Sequence, residues 1–312
     1  MTTIKRIQYH QYGGPEVMRL ETFEAPSPRR GEVLVRVRAA AANPMDWGLR
    51  AGAMKIVTGR KFPRGIGNDF AGVVLAIGEG VTRVAVGDEV LGGTTIKGAG
   101  TFGEMVIAEE RGVVAKPANL TFEEAAAVPT VGLTAFQAIV RNGHVRAGQS
   151  VFIHGVLGGV GRSAAQFALS LGASVGGSCR PSAVADAREL GVDPIVDFDL
   201  DPAPLAGRFD LVLDTAGTLP IAAAKSMLQR GGRIIDIIPT PTKFLRSAWP
   251  GPFQVMLAKP ITADLEEVAR AAGAGTLRVP IARTVRLAEA IPALAELETH
   301  RTPKGGKLVI VV

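Results

Sequence analysis

The chain has 312 residues, 47% of them hydrophobic, and carries a formal net charge of +6 with an isoelectric point near 9.7. At about 150 residues per domain, this length predicts two domains with packed cores. Two tyrosines and two tryptophans are too few for an aromatic platform that stacks single-stranded nucleic acid. No run of lysine or arginine exceeds two residues, so we attribute the basic charge to a phosphate-bearing ligand and expect no nucleic-acid partner.

Cysteine and histidine usage argues against a metal centre. The single cysteine, Cys179, excludes an intrachain disulfide and a zinc site built from several cysteines. The four histidines are scattered without the spacing of metal ligands, so we expect each to be a surface or packing residue. No apolar stretch reaches 18 residues, and the N-terminus lacks the pattern of a signal peptide. We therefore expect a cytoplasmic protein without a membrane partner.

The first 120 residues are predicted to form a β-rich, barrel-like domain. Short stretches such as residues 4–9 and 32–39 alternate apolar and polar residues, as half-buried strands do, and glycines separate most of them. The segment 43–47 interrupts this pattern. Because the residue before a proline avoids the helical region, Pro44 predicts an extended Asn43 followed by a loop.

An α/β region is predicted to begin near Thr121. Thr121 and Glu124 have the spacing of a capping box, which indicates the start of a helix. Strand and helix patterns then alternate, with strands expected near residues 151–153, 173–178, 210–214 and 232–238. Repeated β-α-β units with right-handed crossovers predict a doubly wound parallel sheet, and so an α/β fold.

A glycine-rich turn in this region carries the strongest functional signal. The apolar strand at 151–153 is followed by Gly155-Val156-Leu157-Gly158-Gly159-Val160-Gly161 and then by apolar residues at helical spacing. Glycines at such a turn let the backbone approach a pyrophosphate, and the N-terminus of the helix offers unpaired N–H groups. The turn therefore predicts a dinucleotide site at Gly155, Gly158, Gly159 and Val160.

The last part of the chain holds two further helices and a terminal strand. The helices are expected near residues 264–272 and 287–298, and the strand at 307–312. We expect this strand to return the C-terminus to the first domain. The proline-rich segment 239–252 is interpreted as a lid or an interface loop.

Several separated motifs, taken together, match one family. They are Tyr12-Gly13-Gly14-Pro15-Glu16-Val17, Ala42-Asn43-Pro44-Met45-Asp46, Gly67-Asn68-Asp69-Phe70-Ala71-Gly72, Val86-Gly87-Asp88-Glu89-Val90, residues 129–136, the glycine turn and Gly306-Lys307-Leu308-Val309. Over essentially the whole chain, the sequence resembles the zinc-independent, quinone-oxidoreductase-like branch of the medium-chain dehydrogenase/reductase superfamily. The resemblance implies a GroES-like β-rich catalytic domain at residues 1–121 and 262–312 and a Rossmann NADPH-binding domain at residues 122–261.

The resemblance also implies an activity and a set of site residues. It implies a homodimeric enzyme that uses NADPH, without zinc, to reduce a quinone or an activated carbon–carbon double bond such as an enone. By motif position, Asn43 is expected near the nicotinamide and Thr130 beside the cofactor, while Ile238 and Pro239 could line the nicotinamide face. Asp46 is one of three candidate proton sources, with water and the ribose hydroxyl, so Asn43 and Asp46 are the candidate catalytic residues.

The end of the second predicted strand of the α/β region favours NADPH over NADH. An NAD site places an acid there, which accepts hydrogen bonds from the ribose 2′-hydroxyl. Here the residues are Ser178-Cys179-Arg180, and a hydroxyl with a guanidinium suits a 2′-phosphate. We therefore predict NADPH, bound in part by Ser178 and Arg180. The alternative is that Arg180 is a solvated residue before the next helix.

Two other functions remain compatible with the sequence. An enoyl or alkenal reductase of secondary metabolism would use the same motifs. A non-catalytic NADPH-binding regulator is the alternative from another class. It is favoured by one departure from the family pattern, because Trp47-Gly48 replaces a tyrosine or lysine that family members carry two positions past the acid.

Overall fold

The computed structural model describes residues 3–300 and 305–312. Within these residues the strands are β1 (Thr3–Tyr9), β2 (Arg19–Glu24), β3 (Glu32–Ala41), β4 (Arg64–Gly65), β5 (Asp69–Ile77), β6 (Glu89–Gly93), β7 (Met105–Glu109), β8 (Val113–Ala115), β9 (Ser150–His154), β10 (Ser174–Ser178), β11 (Ile195–Val196), β12 (Phe209–Asp214), β13 (Leu228–Asp236), β14 (Phe253–Val255), β15 (Ile281–Arg286) and β16 (Lys307–Val311). The α-helices are α1 (Pro44–Arg50), α2 (Lys55–Thr58), α3 (Phe122–Ala127), α4 (Pro129–Phe136), α5 (Gly159–Ser170), α6 (Val184–Glu189), α7 (Ile221–Met227), α8 (Pro241–Ser247), α9 (Thr262–Gly273) and α10 (Ala290–His300). None of the helices in this described part is long and apolar enough to cross a membrane.

The chain divides into two compact units. The first contains the described residues up to Thr130, then Pro260–Gly275, and the described residues from Val279 onward; the second contains Val131–Lys259 and Thr276–Arg278. The division thus follows Thr130, whereas the predicted domain boundary precedes α3. The difference arises because α3 packs against β3 and β5 of the first unit.

The first unit is built on a largely antiparallel sheet. Its strand order is β15-β16-β3-β5-β6-β8, and β7 also pairs with β3. Along β3 the valines are buried while Arg36 and Arg38 are exposed, which is the alternation predicted for this strand. The terminal strand β16 pairs with β3, with Val309 opposite Ala41, so the C-terminus returns to the first unit as expected.

The second unit holds the predicted parallel sheet. Its strand order is β11-β10-β9-β12-β13-β14, and every pair is parallel. The chain proceeds outward from β9 in both directions, so the loop after β9 lies at a switch point, where open α/β sheets bind ligands. The last residues of four neighbouring strands, Ser178, His154, Asp214 and Asp236, lie in one row across the sheet and are all buried.

Helix α1 lies where the sequence predicts a loop. Asn43 is extended, with φ −130° and ψ 153°, so this part of the prediction is confirmed. The loop prediction is wrong because Pro44 occupies the first helical position, where its fixed φ favours a helix. Asp46, in the first turn, accepts the Asn43 backbone N–H at 2.7 Å and stabilises the start of the helix.

Helix α8 lies inside the segment interpreted as a lid or an interface loop. Its start resembles that of α1, since Pro241 follows the N-cap residue Thr240. The Thr240 side chain accepts the Lys243 N–H and so satisfies one of the first donors of the helix. Part of the segment 239–252 is therefore ordered by local capping.

Candidate functional site

The glycine turn between β9 and α5 has a backbone that requires glycine at two positions. Gly155, directly after β9, has φ +82°, in the left-handed region that favours glycine. Gly161, in the first turn of α5, packs so tightly that an added Cβ would lie 3.0 Å from the carbonyl carbons of Gly155 and Val156. These two glycines provide the close contact of strand and helix that a dinucleotide-binding turn needs.

The outer side of the same turn is open to solvent. Gly158 and Gly159 are exposed and Val160 is half-buried. Gly158 is the N-cap residue and supplies no side-chain hydrogen bond to the helix. Because the first N–H groups of an α-helix have no partner within the helix, and its N-terminus carries a partial positive charge, this end of α5 suits a phosphate group.

Ser178 is hydrogen-bonded to the backbone of the glycine turn. It is fully buried, its Oγ accepts the Gly155 N–H at 3.0 Å and lies 2.8 Å from Nδ1 of His154. Nε2 of His154 is 2.8 Å from the Thr218 hydroxyl, and burial lowers the pKa of His154, although Asp214 opposes this shift. The predicted contact between Ser178 and a 2′-phosphate is therefore corrected: the buried hydroxyl holds the backbone of the glycine turn.

Arg180 is exposed directly beyond the end of β10, where a 2′-phosphate ligand is predicted. The neighbouring Cys179 is buried, and its burial raises the pKa of the thiol. The nearby carboxylates of Asp197 and Asp186 raise it further. Charges of both signs therefore surround the end of β10, and sequence reasoning did not identify the two acids as part of this region.

Ile238 and Pro239 are exposed beyond the end of β13. Gly217 packs against Ile238 so closely that a Cβ on the glycine would lie 2.7 Å from the Ile238 Cβ. Asp236 accepts the Ile238 N–H at 2.8 Å and pairs with Lys243, which also donates to the Gly217 carbonyl at 3.0 Å. These contacts hold the loops after β12 and β13 against each other at Ile238.

Asp214, at the end of β12, organises the loop that follows. Its Oδ1 accepts the N–H groups of Ala216 and Gly217 at 2.9 and 2.7 Å, and its Oδ2 accepts that of Leu219 at 3.0 Å. Both oxygens of this buried carboxylate therefore accept backbone N–H groups of the loop.

The first unit contains a polar cluster formed by Asn43, Asp46, Asn68, Asp69 and Lys307. Asp46 accepts the Asn43 N–H and the Asn68 side-chain amide, each at 2.7 Å. The Asn43 side chain donates to Asp69 at 2.8 Å and accepts from the Lys307 ammonium. Asn43 and Asp46 are 2% and 3% exposed. Both candidate catalytic residues are therefore bonded inside the unit, and the geometry favours supporting roles for them over contact with a substrate.

Thr130 is half-buried and bound to the same cluster. Its N–H donates to both carboxylate oxygens of Asp69, at 3.1 and 3.2 Å, and its hydroxyl lies 2.6 Å from Asp69 Oδ1. The two residues that the resemblance places near the cofactor in the first unit, Asn43 and Thr130, thus share one carboxylate.

The register of three strands brings this cluster together. Asp69, the first residue of β5, lies opposite Ala41 of β3. Val309 of β16 also lies opposite Ala41, so Lys307, two residues earlier on this antiparallel strand, lies beside Asn43. Asp69 and Lys307 belong to motifs that the sequence singles out, but only their strand register indicates that they meet.

Burial dominates the electrostatics of the cluster. It raises the pKa of Asp46 to about 7, against the opposing hydrogen bonds from Asn43 and Asn68. It also raises the pKa of Asp69, although Lys307 and hydrogen bonds from Thr130 and Asn43 oppose the shift, and it lowers the pKa of Lys307. Two acids and one base therefore share a site where water stabilises none of them.

Comparison with known proteins identifies the family. Two family models match, an alcohol dehydrogenase GroES-like domain over residues 29–118 and a zinc-binding dehydrogenase over residues 190–310. A chloroplastic quinone-oxidoreductase homolog of Spinacia oleracea is 30% identical over 254 residues, which are 78% of this chain and 77% of that protein. A 2-methylene-furan-3-one reductase of Solanum lycopersicum is 33% identical over 242 residues, 74% of this chain and 61% of that protein.

The solved structures agree with the sequence comparisons. The structure of the quinone oxidoreductase from Coxiella burnetii has a TM-score of 0.89 and 30% identity, with 100% of both chains covered. The GroES-like match, the parallel sheet and these relatives together establish the fold class. The chain belongs to the quinone-oxidoreductase-like branch of the medium-chain dehydrogenase/reductase superfamily.

Proposed function

We propose that the protein is an NADPH-dependent oxidoreductase that transfers hydride, without zinc, to a quinone or to an activated carbon–carbon double bond. Family membership implies an oxidoreductase with a nicotinamide cofactor. The observation that carries the proposal is the open N-terminus of α5, beside a turn that only glycine can form at Gly155 and Gly161. Gly159 and Val160 are the first two residues of this helix, where backbone N–H groups have no partner within the helix. The Gly158 N–H donates to the Gly155 carbonyl at 3.0 Å and closes the turn. A pyrophosphate fits this arrangement.

The second unit would hold the cofactor, and a bound nicotinamide supplies the hydride. The protein binds the cofactor and orients it. Backbone N–H groups of α5 bind the pyrophosphate, and the Ser178 hydroxyl holds Gly155 in position by accepting its N–H. Ile238, held by Gly217 and Asp236, offers an exposed apolar side chain at the carboxyl edge of the sheet, which suits the face of a nicotinamide ring.

The preference for NADPH is proposed from Arg180. Its exposed guanidinium follows β10, where it could pair with a 2′-phosphate in a bidentate manner. Asp197 acts against this preference, since a carboxylate near the same strand end repels a phosphate. Neutralising Arg180 should therefore weaken the binding of NADPH, and neutralising Asp197 should strengthen it.

The acceptor class is proposed from the relatives. Several of them carry the name quinone oxidoreductase. The relative from Solanum lycopersicum is a 2-methylene-furan-3-one reductase, whose name describes an activated double bond. Both acceptor types are electrophiles that take up a hydride. The proposal that zinc is not needed rests on the side chains present: the chain has one cysteine, and within residues 3–300 and 305–312 no group of three or more histidine, cysteine or acidic residues could hold a metal ion.

The test is consumption of NADPH and of NADH by the purified protein with matched panels of quinones, enones and enoyl thioesters. We expect turnover with NADPH and at least one quinone or enone, unchanged by a chelator. Arg180→Ala should raise the KM for NADPH by about tenfold or more, as loss of a charged hydrogen bond does, with little effect on NADH. Asp197→Asn should improve NADPH use.

A matched control and a rival outcome complete this test. Arg188→Ala removes an exposed arginine of α6 and should leave both cofactors unaffected. Turnover with enoyl thioesters alone would favour the enoyl reductase alternative. Binding of NADPH without reduction of any acceptor would favour the non-catalytic regulator and refute the proposed reaction. The homodimer implied by the family remains a prediction that sedimentation equilibrium can check.

A further inference from the structure

The ring of His154, at the end of β9, connects the glycine turn of the second unit to the loop that follows β12. Its Nδ1 lies 2.8 Å from the Ser178 hydroxyl, and its Nε2 lies 2.8 Å from the Thr218 hydroxyl. His154 is 1% exposed, whereas Thr218 is exposed at the surface. Support of the glycine turn accounts for Ser178, but it does not account for the second hydrogen bond of the ring, to Thr218.

The hydrogen bonds of Ser178 determine which ring nitrogen of His154 carries the proton. Ser178 is fully buried, and its Oγ accepts the Gly155 N–H. Within the part of the chain that the structure describes, Nδ1 of His154 is the one remaining partner for the Ser178 hydroxyl proton. Nδ1 is therefore an acceptor, and the proton of the neutral ring lies on Nε2. Burial lowers the pKa of His154 and so favours the neutral ring, although the Asp214 carboxylate opposes this shift.

The protonated Nε2 determines how the Thr218 hydroxyl can act. The ring N–H donates, so the Thr218 oxygen accepts it. The hydroxyl keeps its own proton, and none of the described residues accepts this proton or the Thr218 backbone N–H. Thr218 therefore has two donors at the protein surface that can bind an acceptor of a ligand.

The loop that carries Thr218 is fixed on both sides of this residue. Asp214 accepts the N–H groups of Gly217 at 2.7 Å and of Leu219 at 3.0 Å. The Thr215 hydroxyl donates to the His154 carbonyl at 2.7 Å and joins the start of the loop to β9. Because these bonds are already formed, a ligand that binds Thr218 loses little free energy in ordering the loop.

The position of Thr218 indicates which half of a dinucleotide it contacts. One imidazole ring separates its hydroxyl from Ser178, the last residue of β10. β10 is the second strand of the parallel sheet in chain order, and the end of this strand is where dinucleotide sites bind the adenosine ribose.

We propose that Thr218 is a further cofactor-binding residue, whose hydroxyl donates a hydrogen bond to an acceptor of the adenosine half, and that His154 is the residue that positions this hydroxyl. The inference rests on the proposed function and deepens it by adding a contact that NADPH and NADH share. Arg180, by contrast, is proposed to contact only the 2′-phosphate of NADPH.

The test measures dissociation constants of NADPH, NADH and adenosine 2′,5′-bisphosphate, a fragment without nicotinamide. Thr218→Val should weaken all three by a common factor of about three to ten, the effect of losing one hydrogen bond. Ser226→Ala removes an exposed hydroxyl from α7; it is the matched control and should leave all three constants unchanged. An unchanged affinity for the fragment in Thr218→Val would overturn the inference.

Two substitutions of His154 separate its two hydrogen bonds. Asparagine places an acceptor at the position of Nδ1 but does not reach Thr218, whereas glutamine places an amide N–H at the position of Nε2. His154→Gln should therefore bind the fragment more tightly than His154→Asn. In a Thr218→Val background, His154→Asn should add less than about twofold, because coupled residues are not additive.

The reverse order of the two His154 variants, or full additivity with Thr218→Val, would overturn the positioning role of His154. Thermal unfolding identifies any variant that does not fold, and Thr218→Val, a change at an exposed position, tests the contact without the His154 variants. A wild-type protein that binds neither NADPH nor NADH would instead refute the proposed function.

Discussion

The free energy of unfolding of the first unit is expected to fall as the pH rises, because of Asp46. Replacing Asp46 by asparagine should remove this part of the pH dependence. Burial raises the pKa of this carboxyl to about 7, from an ordinary value of 3.8. Between these values the unfolded chain has released the proton while the native state keeps it. The contribution of protonated Asp46 to the free energy of unfolding is therefore fully present below pH 4 and is lost as the pH rises through 7.

The magnitude follows from the size of the shift. Three pKa units at about 1.4 kcal/mol each give an upper limit of about 4 kcal/mol between pH 4 and pH 7. Asp69 contributes in the same direction, since burial raises its pKa as well, but it is unchanged in the variant. The wild-type free energy of unfolding should therefore fall by up to about 4 kcal/mol more than that of Asp46→Asn over this range.

The assay is urea unfolding at a series of pH values, followed by tryptophan fluorescence. The chain has two tryptophans, Trp47 in α1 beside the cluster and the exposed Trp249 in the second unit. A Trp249→Phe background makes Trp47 the sole reporter of the first unit. Asp88→Asn, which changes an exposed aspartate of the same unit, is the matched control. Parallel profiles for wild type and Asp46→Asn would refute the reasoning, because they would show that Asp46 is ionised throughout.

Three further predictions concern the glycine turn and its surroundings. Gly161→Ala should cost about 1–3 kcal/mol in unfolding free energy, since its Cβ meets the backbone of Gly155, and should weaken cofactor binding in an equilibrium titration. Burial lowers the pKa of His154, so the free energy of unfolding of the second unit, followed by the fluorescence of Trp249, should fall as the pH drops below about 6.5. This direction is the reverse of that expected for Asp46. His154→Gln should abolish this pH dependence. Gly48→Ala, with open space around its Cβ inside α1, should raise the Tm, because alanine in a helix is about 0.5–1 kcal/mol more stable than glycine.

The fold could be predicted because its signals are local. The alternation along β3, the capping box at Thr121 and the sequence of strand, glycine turn and helix around Gly155 each depend on neighbouring residues. The same locality explains the errors. Pro44 can end an extended stretch or begin a helix, and the sequence around it does not show which, since the choice depends on Asp46 bonding back to Asn43.

The site was less predictable because side-chain direction and strand register are not local properties. Ser178 stands at the end of β10 as expected, yet its hydroxyl turns inward to Gly155 and His154. Asp69 and Lys307 are 238 positions apart in the numbering, and they meet only because β5 and β16 both pair with β3. A single sequence does not contain this pairing in any short window.

The hydrogen bonds of the buried carboxylates in the two units distinguish acids that support the structure from acids that react. Asp214 and Asp236 at the ends of parallel strands accept backbone N–H groups of the loops that follow them, and Asp69 does the same for Thr130. An acid that is buried and holds donors of its own unit on both oxygens has a structural role there, and a match to a catalytic motif does not by itself make it a reacting group. Asp46 is of this kind, since one of its oxygens accepts the Asn43 N–H and the other accepts the Asn68 side-chain amide. Because Asp46 is 3% exposed and bonded inside the first unit, the proton needed after hydride transfer is expected from water or from the ribose hydroxyl. The kcat of Asp46→Asn should therefore stay close to that of the wild type under conditions where both proteins are folded.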